Sequence, residues 1–350
     1  MIKKTLAACL LAIAALTPAQ AADNDGEGLN YFLPKTAIRM AVLVEKTTFE
    51  PGQLARYADL YFHTQAGTVK DATYRIAGIS FTAEGVPDST KHYTLTVDKK
   101  HSLFSIDCTP SGVLKAINTQ GSTPASPAPF RPAAKTALPN PHDYMSQDIL
   151  SAGNEEKMAQ MVAQEIFDIR DSRNQLSRGE ADFMPQDGEQ LRLMLAQLNT
   201  QEAALMQLFT GRTSVDTTET IVTFVPEPGV QKSVAFRFSK KLGMTDADDL
   251  AGTPYYIYVD DEHIIPTLPD AAQEGRKQKD DLVIGVNLPG KIKVRLSADS
   301  QTVAAFDTYA AQYGHTETLS GAIFGKKMTA RLVLDTVTGN IVSLKVEPIE

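Results

Sequence analysis

Alternating apolar and polar positions run through the first part of the chain and predict strands. Apolar residues fall at Ile38, Met40, Val42 and Val44, which is the period of a half-buried strand. A Pro-Gly turn at 51–52 ends this alternation, and apolar residues at helical spacing over 54–61 predict a short helix. Further alternation predicts strands over 93–97 and 104–106, followed by a turn and a strand over 113–117.

The period then changes to that of helices. Asn154 is a predicted N-cap, and apolar residues between 158 and 169 recur on one helical face. Asp187 and Gln190 form a capping-box pattern at the start of a second helix, whose apolar stripe runs from 191 to 209. We interpret both stripes as core faces, and a partner groove is the alternative for stripes rich in Met and Leu.

Short strands return after Thr217. They are predicted over 221–225, 234–238, 255–259, 282–286 and 292–296, with a closing hairpin of 332–334 and 341–346. Residues 104–112 and 332–339 share a strand–Asp–turn–Gly pattern. The whole pattern predicts an α+β protein that is mostly β, with two antiparallel β modules, sandwich or barrel-like, and a two-helix segment between them.

Changes of composition divide the chain. Six prolines lie between Pro124 and Pro141, which predicts an extended linker over 119–147. This linker separates a β-rich domain over 31–118 from a helical pair over 148–212, and a β domain over 213–350 follows. Residues 1–21 have the pattern of a signal peptide, and 22–30 that of a flexible lead.

The signal-peptide pattern predicts where the protein works. Two lysines, an apolar run and an Ala-x-Ala site predict cleavage between Ala21 and Ala22. We therefore expect a periplasmic or envelope-associated protein. Cleavage removes Cys9, whose place early in the apolar run disfavours a lipid anchor, and leaves Cys108 without an intrachain partner.

Charge restricts the partners. The 350-residue chain has a formal net charge of −8 at pH 7, and loss of two lysines with the signal peptide makes it −10. Such acidity disfavours nucleic acid, because phosphate attraction supplies most non-specific affinity. No later apolar stretch reaches the roughly 20 residues that cross a bilayer, so we expect no transmembrane segment. The expected partners are an envelope protein or a glycan, and the sequence leaves the oligomeric state open.

Two predicted strands and a loop carry the best binding candidates. Tyrosine rings can stack on a sugar, and a cationic stripe can meet an acidic glycan or partner, although a solvated strand face has the same pattern. A histidine after three acidic residues can act as an oriented base, although an acidic loop facing water has the same pattern. These candidates are Tyr256, Tyr258, Asp260, His263, Lys291, Lys293 and Arg295.

No histidine or cysteine spacing predicts a metal site, and we expect no cofactor. Asp246, Asp248 and Asp249 supply oxygen ligands that suit calcium, but the glycine and the bidentate glutamate of a calcium loop are misplaced or missing. The acidic residues within 23–27 fail in a similar way. Residues 321–326 fall one residue short of a phosphate loop, so we interpret them as a turn.

Several segments resemble a known family. They are 31–52, 201–213, 288–296, 312–314 (Gln-Tyr-Gly) and 335–339 (Asp-Thr-Val-Thr-Gly). Together they resemble an exported family of Bacteroidetes, domain of unknown function 4831. The resemblance implies an envelope protein of such a bacterium and supplies no catalytic or binding residues. Proteins exported by these bacteria can carry O-glycans at Asp-Ser/Thr motifs, which implies Ser89, Thr217 and Thr336 as candidate acceptors.

The sequence therefore predicts a non-catalytic binding or scaffolding protein of the cell envelope, because no motif reaches a named chemistry. The alternative is a glycan- or peptide-directed hydrolase with a site assembled from distant residues, since a dispersed triad leaves no local motif.

The signal-peptide pattern makes a direct prediction about the protein in its own organism. Cleavage leaves Ala22 as the first residue of a 329-residue chain. N-terminal sequencing and intact-mass measurement of the natively expressed protein check this. A chain that keeps Met1, or one that begins at a lipid-modified Cys9, contradicts the prediction.

Overall fold

The computed structural model describes residues 28–348, apart from 97–99, 126, 135–137, 276–281 and 326. Some of the sequence predictions lie outside the described residues. They are the predicted signal peptide with Cys9, the acidic residues within 23–27, the end of the predicted strand at Val97, and the end of the near-miss to a phosphate loop at Lys326. The first strand begins at Leu29, two residues before the predicted start of ordered structure.

The strands and helices confirm a mostly-β α+β fold, with 46% strand and 23% helix. The strands are β1 (Leu29–Glu50), β2 (Asp71–Leu95), β3 (Ile106–Cys108), β4 (Leu114–Ile117), β5 (Arg212–Phe224), β6 (Lys232–Ser239), β7 (Gly243–Thr245), β8 (Thr253–Asp261), β9 (Val283–Ala298), β10 (Gln301–Ser320), β11 (Met328–Leu334) and β12 (Ile341–Pro348). The α-helices are α1 (Ala58–Phe62), α2 (Gln147–Leu150), α3 (Glu155–Arg178), α4 (Gly188–Thr210) and α5 (Asp270–Gly275). Short 3-10 helices lie at Ala55–Tyr57, Pro141–Tyr144 and Gly321–Phe324.

The described strands form three antiparallel sheets, where the sequence predicted two β modules. Their strand orders are β2-β1-β5, β10-β9-β8-β6-β7 and β12-β11-β4-β3. Two pairings join strands from opposite sides of the helical segment, β1 with β5 and β4 with β11. The two hairpins with the Asp–turn–Gly pattern are neighbours in the third sheet. Periodicity identifies a strand but not its partner, so the sequence did not predict these pairings.

Two long hairpins, β1–β2 and β9–β10, extend through both β cores. In the first core, the β1 side chains from 38 to 44 pack against β6, β8 and β9. In the second core, the other ends of the hairpins pack against β4 and β11. Strand β9 is thus one continuous element, where the sequence predicted separate strands over 282–286 and 292–296. Strand β10 was not predicted, because threonine, alanine and charged residues interrupt its apolar alternation.

Each long hairpin has a large bulge, with four residues opposite one, at the place where the two hairpins meet, which we call the crossing. In β2, residues 88–91 lie opposite Leu33 alone, and in β10, residues 311–314 lie opposite Pro289 alone. A bulge bends its strand and redirects side chains. The two bulges therefore supply polar groups to the interior between the hairpins.

Asn287 of β9 is buried at this crossing and links β1, β2, β9 and β10 to the loop between β11 and β12. Its hydrogen-bond partners are Pro34 O (3.1 Å), Thr338 O (3.0 Å), Lys91 Nζ (3.1 Å), Thr316 Oγ1 (3.2 Å) and, through its backbone N–H, Gly339 O (2.9 Å). Burial lowers the pKa of Lys91, and the neighbouring Asp88 carboxylate opposes that shift. The Asn287 carboxamide thus uses both its donor and its acceptor groups to hold the crossing together.

Thr36, which is also buried, makes a second link from β1. Its hydroxyl donates to Val337 O at 3.0 Å and accepts the N–H of Ala311 at 3.1 Å. The Gln312 side chain accepts the Thr36 N–H at 3.0 Å and donates to the Thr36 carbonyl at 2.9 Å. We call Thr36, Lys91, Asn287 and Gln312 the crossing network. Within the described part of the chain every buried side-chain N or O atom has a partner, so the network leaves no buried polar side-chain atom unsatisfied.

The β11–β12 loop, residues 335–340, fills the crossing. The Asp335 carboxylate accepts hydrogen bonds from Val337 N–H at 3.0 Å and from Thr338 Oγ1 at 2.7 Å. Gly339 has a φ of +76°, and a Cβ there would lie 2.8 Å from Asn287 Nδ2. Only glycine satisfies both this backbone conformation and this close approach.

The helical segment confirms both predicted caps and shows how far one predicted core face is buried. Asn154 and Asp187 accept backbone N–H groups of the first helical turns at 2.8 and 2.7 Å. A third core joins the first half of α3 and the last half of α4 to Leu54 and α1. None of residues 188–203 is buried. The predicted core face of α4 is thus fully buried only in its last two turns, whereas Leu191, Leu195 and Leu198 are half-buried and Met194 is exposed.

The crossing network predicts the effect of removing its central side chain. N287L keeps the approximate size of the residue but leaves two carbonyl oxygens, one hydroxyl and one ammonium group without their partner, and each such loss costs about 1–3 kcal/mol. We expect the free energy of unfolding to fall by about 3 kcal/mol or more in urea denaturation.

Asn199, whose exposed amide accepts a hydrogen bond from Arg173, provides the matched control. N199L should change the free energy of unfolding by no more than about 0.5 kcal/mol. Equal losses for N287L and N199L would contradict a central role for the crossing.

Candidate functional site

The seven predicted candidates lie at the end and on the outer face of the five-stranded sheet. Strands β8 and β9 place Tyr258 opposite Arg295 and Asp260 opposite Lys293. The intervening residues, including Ile257 and Val294, are buried in the first β core. We define the tyrosine–charge face by Lys232, Tyr256, Tyr258, Asp260, Lys291, Lys293, Arg295 and Asp307.

Carboxylates compensate the predicted cationic stripe. Arg295 Nε lies 2.8 Å from Asp260 Oδ2, and Lys293 Nζ lies 3.7 Å from Asp307 Oδ1. Lys291 Nζ lies 2.8 Å from a Glu262 carboxylate oxygen. These hydrogen bonds raise the pKa of Arg295 and of Lys291. The face is thus a lattice of cross-strand ion pairs rather than a positive surface, which disfavours a purely acidic ligand.

Cations also lie over the two tyrosine rings. Lys232 Nζ is 4.0 Å from the ring centre of Tyr256 and 5.4 Å from that of Tyr258. The Arg295 guanidinium is 5.5 Å from the ring centre of Tyr258. These cation–π contacts place Lys232 over the ring face of Tyr256 on which a sugar would stack. The result is a half-exposed surface of tyrosine, arginine and paired charges.

His263 lies beside the face rather than in a cavity. It follows β8 in a left-handed backbone conformation with a φ of +56°, and its N–H donates to Asp261 Oδ1 at 2.8 Å. Its Nδ1 is 3.1 Å from the other Asp261 oxygen, and the imidazole is 85% exposed. Asp261 therefore orients His263, but the surroundings provide no exclusion of water.

Three concave regions were not predicted, because distant segments line them. A cavity of about 560 Å³ lies between 81–85 of β2, part of 123–127 and Thr336, and the stacked rings of Phe81 and Phe306 form part of its wall. A second of about 760 Å³ lies around Tyr74, Tyr255 and Asp299, and a third of about 130 Å³ lies near Pro226. His263 lines none of these three.

The other predicted sites have the following positions. Among the described residues, no group of three or more His, Cys, Asp or Glu side chains is arranged to hold a metal ion, and Asp246, Asp248 and Asp249 form no such group. The near-miss to a phosphate loop is a 3-10 turn at Gly321–Phe324. Cys108 is a free, half-buried thiol. Its burial raises its pKa, and the nearby negative charge of Asp107 raises that pKa further. No helix in the described part of the chain is sufficiently long and apolar to cross a membrane.

The three candidate glycan acceptors differ in accessibility. Ser89 lies in the β2 bulge and is exposed, whereas Thr217 is half-buried on β5. Thr336 is buried in the loop that fills the crossing. A glycan on Thr336 would have to displace that loop, so Ser89 is the acceptor with the best access in the folded chain.

Fold and face together define a mostly-β α+β protein with an open surface of tyrosines and paired charges. The model of the family Domain of unknown function (DUF4831) matches residues 27–342, so the chain belongs to this family. Neither the curated proteins nor the solved structures include a match to the chain. The match confirms the resemblance of the sequence to the domain-of-unknown-function family.

Proposed function

We propose that the chain is an exported cell-envelope protein that binds or scaffolds another envelope protein, with the tyrosine–charge face as its binding surface. The observation that carries the proposal is the open arrangement of Tyr256, Tyr258 and Arg295 on adjacent strands. Tyrosine and arginine are enriched in the cores of protein interfaces, where paired charges set the register of the partner.

A protein partner fits this surface better than a glycan. Lys232 lies over the ring of Tyr256, and each of Lys291, Lys293 and Arg295 has a carboxylate neighbour. A sugar would have to displace Lys232 before it could stack, and an acidic glycan would meet compensated charge. A protein with its own alternating charges can exchange these pairs across the interface.

In the alternative function, a hydrolase, His263 is the candidate general base. An efficient general base has a positioned substrate and a site that excludes water. The imidazole of His263 is 85% exposed and has Asp261 as its charged neighbour. This position favours a role in closing the loop after β8, and we rank the hydrolase second for that reason.

The binding proposal predicts that truncation of the face releases the partner. The full mature chain, tagged and expressed in its own organism, is cross-linked and recovered, and co-purifying proteins are quantified by mass spectrometry. The double variant Y256S/Y258S should reduce recovery of the specific partner at least about tenfold, because central tyrosines cost about 2 kcal/mol or more when truncated. Matching circular dichroism and melting temperature must show that the variant is folded.

V342S, which changes an exposed side chain on β12, is the matched control and should recover the partner like the parent chain. Equal recovery by the face variant and the control would contradict the assignment of the surface. Specific recovery of no protein by the parent chain would contradict the binding function itself, and specific recovery of glycan alone would replace the protein partner with a glycan.

A further inference from the structure

The two long helices form an arm that extends beyond the helical core. The buried residues of α4 are Ala204, Leu205, Leu208 and Phe209, all in its last two turns. In α3, Leu176 is buried, but the other buried residues lie between 159 and 169. The ends of the two helices that flank the loop 179–187 are therefore held mainly by each other. Ion pairs from Arg170 and Arg173 to Glu202 brace the arm at its midpoint.

The tip of the arm exposes large apolar side chains. Phe183 in the loop is 90% exposed, and Leu193 and Met194 on α4 are 56% and 43% exposed. Met184 beside Phe183 is also exposed. Exposure of one large apolar residue is ordinary, but a group of them at the end of one hairpin marks an interaction surface. Within the first half of the α4 stripe, Leu191, Leu195 and Leu198 are half-buried, so the exposed apolar surface of the tip consists of Phe183, Met184, Leu193 and Met194.

The charges at the tip of the arm indicate the charge that a binding partner carries on its surface. Glu180, Asp182, Asp187 and Glu189 lie within ten residues of one another around Phe183, and all are exposed. The Arg192 guanidinium is bonded to Glu189 at 2.9 and 2.5 Å, so it neutralises that carboxylate. Arg178, exposed at the end of α3, offsets one further carboxylate, so residues 178–194 carry a net charge of −2 and the margin around the apolar centre is acidic. Complementarity requires a basic margin around an apolar cleft.

We propose that the arm tip, defined as residues 179–194, docks by Phe183 and Met184 into an apolar cleft of a protein partner whose rim carries lysine and arginine. This extends the binding role proposed above to a second surface, and either surface can fail its test while the other passes.

The acidic charge of the arm tip also disfavours two other binding partners, a second copy of this chain and an anionic membrane. A second copy of this chain would bring the same carboxylates to a two-fold tip-to-tip contact, and like charges facing each other cost affinity. An anionic membrane surface repels an acidic margin, although Phe183 and Met184 have the apolar character of inserting side chains. The basic protein partner satisfies both the apolar centre and its margin.

The test uses a photo-cross-linking residue, p-benzoylphenylalanine, in place of Phe183 in the full chain expressed in its own organism. The matched control carries the same residue in place of Leu60, which is 67% exposed on α1. We expect one predominant protein adduct at position 183 that is absent at position 60, with lysine or arginine in the cross-linked peptide of the partner. In the same background, E180K/D182K should reduce the adduct at least fivefold.

D246K/D248K makes the same change of net charge at exposed positions away from the arm and should leave the adduct unchanged. Both double variants must keep the parental melting temperature. An adduct of twice the chain mass, an adduct with lipid alone, no excess over the Leu60 control, or an adduct insensitive to E180K/D182K would each overturn the proposal. The tyrosine–charge face is unchanged in all these variants, so their outcome does not depend on it.

Discussion

The crossing of the two long hairpins is the contact on which the rest of the structure depends. Two strands of more than twenty residues, β1 and β2, cannot bury their apolar sides against one sheet, so different ends of the hairpin enter different cores. At the point of change, backbone groups would be buried without ladder partners. Asn287 and Thr36 supply those partners, and each connects β1 to the β11–β12 hairpin. Polar groups in the interior thereby fix the relative position of all three sheets.

Part of the crossing lies in segments that carry the family resemblance. Thr36 lies in the first of the resembling segments, and Gln312, Thr338 and Gly339 lie in the last two. Segments that are far apart in sequence meet within hydrogen-bonding distance at one place in the fold. The resemblance is therefore carried in part by residues that build the molecule, while the tyrosine–charge face contributes mostly through the strand 288–296.

Local patterns predicted part of the local structure, although most of β2 and all of β10 were not predicted. Alternation at 38–44 identified β1, and the Asn154 and Asp187 caps located the helices, because both signals depend only on near neighbours in sequence. Which part of the α4 stripe is buried was not predicted, since spacing shows that apolar residues share a face but not what covers that face. Strand β10 was missed because its partner β9 stabilises it despite an irregular apolar pattern.

The candidate site was predicted only in part. Period-two spacing placed Lys291, Lys293 and Arg295 on one face of a strand, and the structure does so. Their neutralisation by Asp260, Glu262 and Asp307 depends on the register of three strands, which a single sequence does not specify. The same limit applies to Lys232 over Tyr256, where the lysine comes from β6. The sequence therefore shows which side chains lie on this face of the strand, but it does not show which carboxylates neutralise the cations.

If the crossing makes one cooperative unit from both sides of the helical segment, the N-terminal β region is not stable alone. Residues 22–147 contain β1–β4 but lack β5 beside β1 and β11 beside β4. Expressed as an isolated fragment, this region should show no cooperative urea transition and rapid amide hydrogen exchange throughout. A cooperative transition with protected amides in β1 and β2 would contradict the account.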